Sequence, residues 1–171
     1  SRNYLNAFLQ TEWTFGEKWY LFAGLNTAFT NLSNEELKTN TPIAVFPTAG
    51  ISYSILSDLL VSGSVSRGYS SLALEDVLNA DGMINPDIVP ETGWSEELSL
   101  KYFNDHGAFA KLTFFTMNIQ NTVLTRRIMD DVFEKLNGGS SRHRGMEFEY
   151  KWISASEKLS LDGAYTYSHF R

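Results

Sequence analysis

Apolar and polar side chains alternate with a period of two through most of this chain. That period confines it to extended strands with one apolar and one polar face. Between Arg144 and Ile153, Met146, Phe148, Tyr150 and Trp152 fall on one side, and Gly145, Glu147, Glu149 and Lys151 on the other. Trp94, Leu98, Leu100 and Tyr102 alternate with Ser95, Glu97, Ser99 and Lys101. Leu159, Leu161, Gly163, Tyr165 and Tyr167 alternate with Ser160, Asp162, Ala164 and Thr166, and Trp19, Leu21, Ala23, Leu25 and Phe29 oppose Tyr20, Gly24, Asn26 and Thr30. Two architectures accept such strands. In a soluble sandwich the apolar face packs on a second sheet. In an outer-membrane barrel it meets lipid while the polar face lines the lumen.

The aromatic residues favour the barrel. Trp13, Phe15 and Trp19 flank one short turn, and Tyr53, Tyr102, Tyr150 and Trp152 sit near others. Aromatics at strand ends form an interfacial belt, whereas a sandwich core holds them mid-strand. The pattern predicts strands over 3–15, 19–31, 41–55, 58–68, 92–104, 107–126, 143–153 and 157–170. Their connections alternate short and long: 16–18, 56–57, 105–106 and 154–156 are short, and 32–40, 69–91 and 127–142 are longer. Bacterial barrels have short turns on the periplasmic side and long loops outside the cell. Within the loop from Tyr69 to Glu91, Leu74, Val77 and Leu78 have helical spacing, which predicts a short helix near Leu72 to Asn79, broken by Asp81-Gly82. The first and last connections are both short, so both chain ends are expected on the long-loop side. A complete barrel normally starts and ends on the periplasmic side and usually finishes on an aromatic, whereas this chain stops at Phe170-Arg171. The expectation is a piece of a larger barrel.

Composition removes other classes. There is no cysteine, which excludes disulfides and thiolate metal sites. The net charge of -6 with no basic stripe argues against a nucleic-acid partner. No apolar run reaches the roughly 20 residues of a transmembrane helix, and the chain shows no positively charged start followed by an apolar segment, so no signal peptide is expected within it. A mean hydropathy of -0.22 is compatible with a membrane barrel, whose strands are apolar only at every second residue.

Two segments carry a resemblance. Asn85, Pro86, Pro90, Glu91, Thr92, Trp94 and Glu97, with Ile88, follow the pattern Asn-Pro-x-Leu-x-Pro-Glu-Thr leading into a strand with Trp and an acid. Asn137, Arg142, Gly145, Glu147 and Glu149 follow a second pattern, Asn and then Arg-x-x-Gly-x-Glu, at the start of a later strand. The prolines fix an extended approach to the first strand, and the glycine permits close packing at the rim. Weaker likeness runs back through Arg67-Gly68-Tyr69 and Gly50-Ile51-Ser52-Tyr53 to about Pro42; after the Arg-aromatic step many relatives have prolines, where this chain has Ser70-Ser71-Leu72. Together these resemble the late barrel region of TonB-dependent outer-membrane receptors. The resemblance implies that residues 1–171 form part of a plugged barrel of about 22 strands, lacking here the N-terminal plug and TonB box. It implies energised uptake of a scarce solute, most often an iron–siderophore or metal–citrate complex, driven when TonB pulls on the plug.

Arg126, Arg127, Arg142, His143 and Arg144 gather around one long loop. Arginine pairs well with carboxylates, so these are the candidates for binding an anionic cargo. The competing reading, which we favour, pairs them with Asp130, Asp131, Glu134, Glu147 or Glu149. Glu75, Asp76, Asn79 and Asp81 lack EF-hand spacing and read as solvated loop acids. His106, His143 and His169 have no Gly-x-Ser-x-Gly elbow to serve, so no enzyme is expected; the Trp and Tyr residues read as girdle, not as a sugar platform. The expected fold is all-β, an antiparallel up-and-down meander of about eight strands in the outer membrane. The expected partners are a small-molecule iron chelate, TonB through the plug, and lipid, with no cofactor. The alternatives are a passive outer-membrane channel or structural barrel, and a soluble β-sandwich binding module.

Overall fold

The computed structural model describes residues 2–33, 38–40, 44–70, 85, 87–105, 107–129 and 132–171. Its strands are β1 (Arg2–Phe15), β2 (Trp19–Ser33), β3 (Lys38–Asn40), β4 (Ala44–Leu56), β5 (Leu59–Ser70), β6 (Glu91–Phe103), β7 (Phe109–Gln120), β8 (Val123–Met129), β9 (Val132–Asn137), β10 (Ser140–Ile153) and β11 (Ser160–Phe170). The main sheet runs in the order β1-β2-β4-β5-β6-β7-β10-β11, with β3 added beside β2. Every pairing is antiparallel, and along the path each strand pairs with the next in the chain except at β2–β4, which skips β3, and at β7–β10, which skips the separate β8–β9 hairpin. This is the expected eight-strand meander.

The sheet is a single layer. No large side chain among the described residues is fully buried, and the buried apolar side chains are only Ala28, Phe46 and Ile88. Leu98, Phe114 and Trp152 stand 55%, 49% and 41% exposed on the apolar face. A sandwich would hide these residues against a second sheet. The sandwich alternative therefore fails: the other sheet among the described residues is the β8–β9 hairpin, and it leaves this face open.

Register fixes how the open face must meet its surroundings. One row of paired residues runs Phe15, Trp19, Tyr53, Val61, Leu100, Leu112, Phe148, Tyr165. On β2 the apolar band rises from that row, at Trp19, to Phe29. On β10 it extends up only to Met146 but down to Trp152. The centre of the band thus slips by about six residues across the five strand steps from β2 to β10. At about 3.3 Å per residue and about 4.8 Å per strand, that is a drift of about 20 Å over about 24 Å. A level apolar slab cuts such a sheet only if the strands lean by about 40°, which is the tilt of barrel strands.

The opposite face is polar. Ser62, Ser99, Thr113 and Glu147 share one inward row. The Ser99 and Thr113 hydroxyls, both buried, hydrogen-bond at 3.2 Å. Lys101 stands opposite Lys111, a repulsive placement. It is relieved by Glu149, 3.9 Å from the Lys111 ammonium, and by the Phe103 and Phe109 rings, whose centroids lie 5.5 and 5.6 Å from the Lys101 ammonium.

Several boundaries differ from the sequence expectation, and β10 and β11 begin at Ser140 and Ser160 where 143 and 157 are expected. The strand expected over 107–126 ends at Gln120, where Asn121 takes a left-handed backbone (φ 59) that breaks the ladder. The loop expected over 127–142 consequently begins earlier and carries the β8–β9 hairpin. Part of the expected 32–40 loop extends β2 to Ser33 and forms β3. The helix expected near Leu72 to Asn79 lies outside the described residues, as do Glu75, Asp76, Asn79, Asp81, His106, Asp130 and Asp131.

Candidate functional site

The long-loop end of the sheet is assembled by the two segments that carry the sequence resemblance. Asn137, the last residue of β9, grips the extended stretch before β6. Its Oδ1 accepts from the Val89 N–H at 2.8 Å, and its Nδ2 donates to the Val89 carbonyl at 2.9 Å and the Asn121 carbonyl at 2.6 Å. An amide side chain here completes both backbone groups of a residue that has no strand partner. Glu91, the first residue of β6, accepts from the Val123 N–H at 2.7 Å, and the Gly138 N–H donates to the Thr122 carbonyl at 2.8 Å. Pro90 holds this stretch extended, and Ile88 is 8% exposed within it. The outcome is a latch joining the β5–β6 loop to the base of the β8–β9 hairpin.

Gly145 explains the glycine of the second segment. A Cβ there would collide with the Tyr167 carbonyl oxygen and lie 2.8 Å from Cζ of Phe115, whose residue is its cross-strand partner on β7. The ring covers the bare backbone, and no larger residue fits.

Below the latch, on the inward face, Gly68 stands opposite Gly93 and Ser66 opposite Ser95. The paired glycines project nothing, leaving a hollow of about 420 Å³ also lined by Met117 and Ile119. At the neighbouring rim Phe46 and Tyr69 stack at 4.3 Å with an interplanar angle of 6°.

The five candidate residues do not converge. Arg126 and Arg127 lie on β8. Arg126 is opposite Glu134 and paired with it at 3.0 Å, as the ion-pairing reading expects. The Nε of Arg127 donates to the Met129 carbonyl at 3.3 Å. His143 points inward beside Met117, hydrogen-bonds Ser141 Oγ at 3.3 Å, and meets the Phe170 ring edge-on at 4.5 Å. Arg142 and Arg144 share the outward face with Met146 and Phe148, so neither can reach inward Glu147 or Glu149. Parity along β10 already carried that division. The latch role of Asn137 and the glycine-lined hollow were not read from sequence, because both depend on residues more than twenty positions apart. Among the described residues no three His, Asp or Glu side chains gather as metal ligands. What the arrangement can do is bind: it offers a polar inward wall, a hollow, and two joined loops above it.

Comparison with known proteins agrees with this geometry. The family model described as "TonB dependent receptor-like, beta-barrel" matches residues 1–171. The FrpB iron transporter of Neisseria meningitidis (F3-3 variant) superposes with a TM-score of 0.79 at 17% identity, over 99% of this chain and 26% of its own. The pyoverdine outer membrane receptor FpvA of Pseudomonas aeruginosa PAO1 does so at 0.79 and 13%, over 99% and 25%. The copper transporter OprC does so at 0.74 and 15%, over 99% and 29%. The chain thus spans about a quarter of the length of these structures. No curated protein matches the sequence.

Proposed function

Because the chain belongs to the TonB-dependent receptor family, a family of outer-membrane β-barrels, we propose that it forms part of the wall and outer loops of a receptor that imports a scarce solute by active transport. The cargo in this reading is a metal complex, an iron–siderophore or metal–citrate chelate. The cargo classes named for the similar structures, iron, pyoverdine and copper, support a metal cargo. The observation that carries the proposal is the latched pair of loops above a hollow in the inward wall. A ligand held there would sit inside the barrel mouth, at the long-loop side, ready to be passed inward.

Arg126, Arg127 and His143 are the cargo-side members of the five candidates, since they lie on the hairpin and beside the hollow. Arginine would meet carboxylate or catecholate oxygens of a chelate. The plug and the TonB-binding segment belong to the rest of the receptor, and transport is driven through them.

Uptake of radiolabelled ferric chelates by cells producing the complete receptor tests the reading. Active import predicts saturable uptake that stops when TonB is deleted or the inner-membrane gradient is collapsed. Uptake that rises linearly with concentration and ignores both treatments would make the barrel a passive channel.

A further inference from the structure

Directly above the apolar band, the outward face of β10 and β11 turns strongly basic. Arg144 stands opposite His169, and Arg142 is joined to Arg171 by two reciprocal backbone hydrogen bonds. Arg142, Arg144, His169 and Arg171 are all exposed. Two arginines therefore face each other in one outward row, and an arginine faces a histidine in the next row down. Like charges directly opposite, with Cβ atoms about 5 Å apart, destabilise a sheet.

Among the described residues no carboxylate pairs with them: the ion pairs are Lys111–Glu149 and Arg126–Glu134, and neither involves these groups. The Nε of Arg142 donates to neutral Asn118 Oδ1 at 2.7 Å. The outward carboxylate in the Arg144 row is Glu96, beyond Thr116 and two strands away, or about 10 Å. An anion from outside the protein fits this face.

Position identifies the anion. Immediately below lie Phe114, Met146 and Tyr167 in one outward row, forming with Arg144 and His169 the sides of a single groove. With strands leaning about 40°, two residues further along β10 rise by about 5 Å. The Arg144 head therefore leaves the apolar slab at the depth of lipid phosphates. We propose that this basic collar binds the phosphate of an anionic lipid headgroup in the outer leaflet, with the acyl chain lying down the Phe114–Met146–Tyr167 groove. The inference rests on the outward face lying against lipid, as the family fold requires. Guanidinium forks match phosphate oxygens bidentately, and the apolar groove gives a lipid what a free phosphate ion cannot use. Parity keeps Arg142 and Arg144 on the wall opposite to the inward hollow, so the collar and the hollow serve different ligands.

The test uses the complete receptor purified in detergent and exchanged into mixed phosphatidylglycerol and phosphatidylcholine, with retained lipid measured by native mass spectrometry. Near a membrane surface each arginine contributes about a five-fold preference for an anionic lipid. Wild-type protein should retain phosphatidylglycerol preferentially, R144Q should reduce that preference about five-fold, and R142Q/R144Q about twenty-five-fold. R144K, which keeps the charge without the fork, should lose less than R144Q, which separates loss of charge from misfolding. An inward variant, K111Q, should keep the wild-type preference. Unchanged preference in R142Q/R144Q would overturn the collar. Loss of the preference on adding millimolar inorganic phosphate would overturn the lipid as its ligand. Absence of any retained lipid on wild-type protein would instead count against the lipid-facing wall itself.

Discussion

Replacing Asn137 dismantles the latch in a way that can be scaled from its bonds. The side chain makes three hydrogen bonds, of 2.8, 2.9 and 2.6 Å, to the Val89 N–H, the Val89 carbonyl and the Asn121 carbonyl. Each is worth about 0.5–1.5 kcal/mol net. Val89 is 43% exposed, so water can take over part of what is lost. The expected cost of Asn137→Ala is therefore about 1.5–2.5 kcal/mol, at the low end of that sum. The Val123–Glu91 and Gly138–Thr122 bonds remain, so the loss stays local to the loop end. Hydrogen–deuterium exchange on the complete receptor reads it directly: the Val89 amide should exchange roughly ten- to seventy-fold faster, while amides in the middle of β6 and β7 hold. Asn137→Asp sharpens the test. It keeps an acceptor for the Val89 N–H but sets an oxygen against two carbonyls where Nδ2 donated. It should loosen the hairpin base at least as much as alanine does. Wild-type exchange in either variant would refute the latch, and wild-type exchange in the aspartate variant alone would show that the two donor bonds carry nothing.

Three further outcomes follow from the same geometry. Gly145→Val should cost about 1–3 kcal/mol or more through overpacking against Phe115 and the Tyr167 carbonyl, seen as a lower urea midpoint for folding into vesicles. Leu100→Arg, outward and near the middle of the apolar band, should cost about 2–4 kcal/mol in the same titration, while inward Glu97→Arg should cost far less. A double-mutant cycle on Arg126 and Glu134, a pair 65% and 31% exposed, should give a coupling of only about 0.2–1 kcal/mol that fades as salt is raised.

Period two made most of the sheet legible. It placed Met146, Phe148, Tyr150 and Trp152 on one side and set the strand order, because strands joined by short turns pair with their neighbours. The end of β7 was less legible. Gln120, Asn121 and Thr122 are three polar residues in a row, which interrupts the alternation without saying that the ladder ends there; Asn121 ends it through its backbone, and no side-chain pattern reports φ. Arg142 and Arg144 were grouped with His143 by closeness in sequence, although alternation sends neighbours in a strand to opposite faces. The latch eluded the sequence for another reason. Asn137 and Val89 are brought together by the skipped hairpin between β7 and β10, a topological fact that local pattern does not encode. The Asn-Pro-x-x-x-Pro-Glu-Thr stretch and the later Asn were visible as motifs, and their physical meaning is that they bind each other.

Everything above depends on which way the alternating faces point. The chain has no cysteine, so in the complete receptor, with any cysteine elsewhere replaced by serine, single cysteines can be placed at each position from Met146 to Trp152, spin-labelled, and probed in lipid vesicles with oxygen and a water-soluble nickel chelate. Positions 146, 148, 150 and 152 should favour oxygen, and positions 147, 149 and 151 should favour the chelate. Access that does not alternate, or that alternates with the opposite phase, would contradict a lipid-facing wall and a polar lumen.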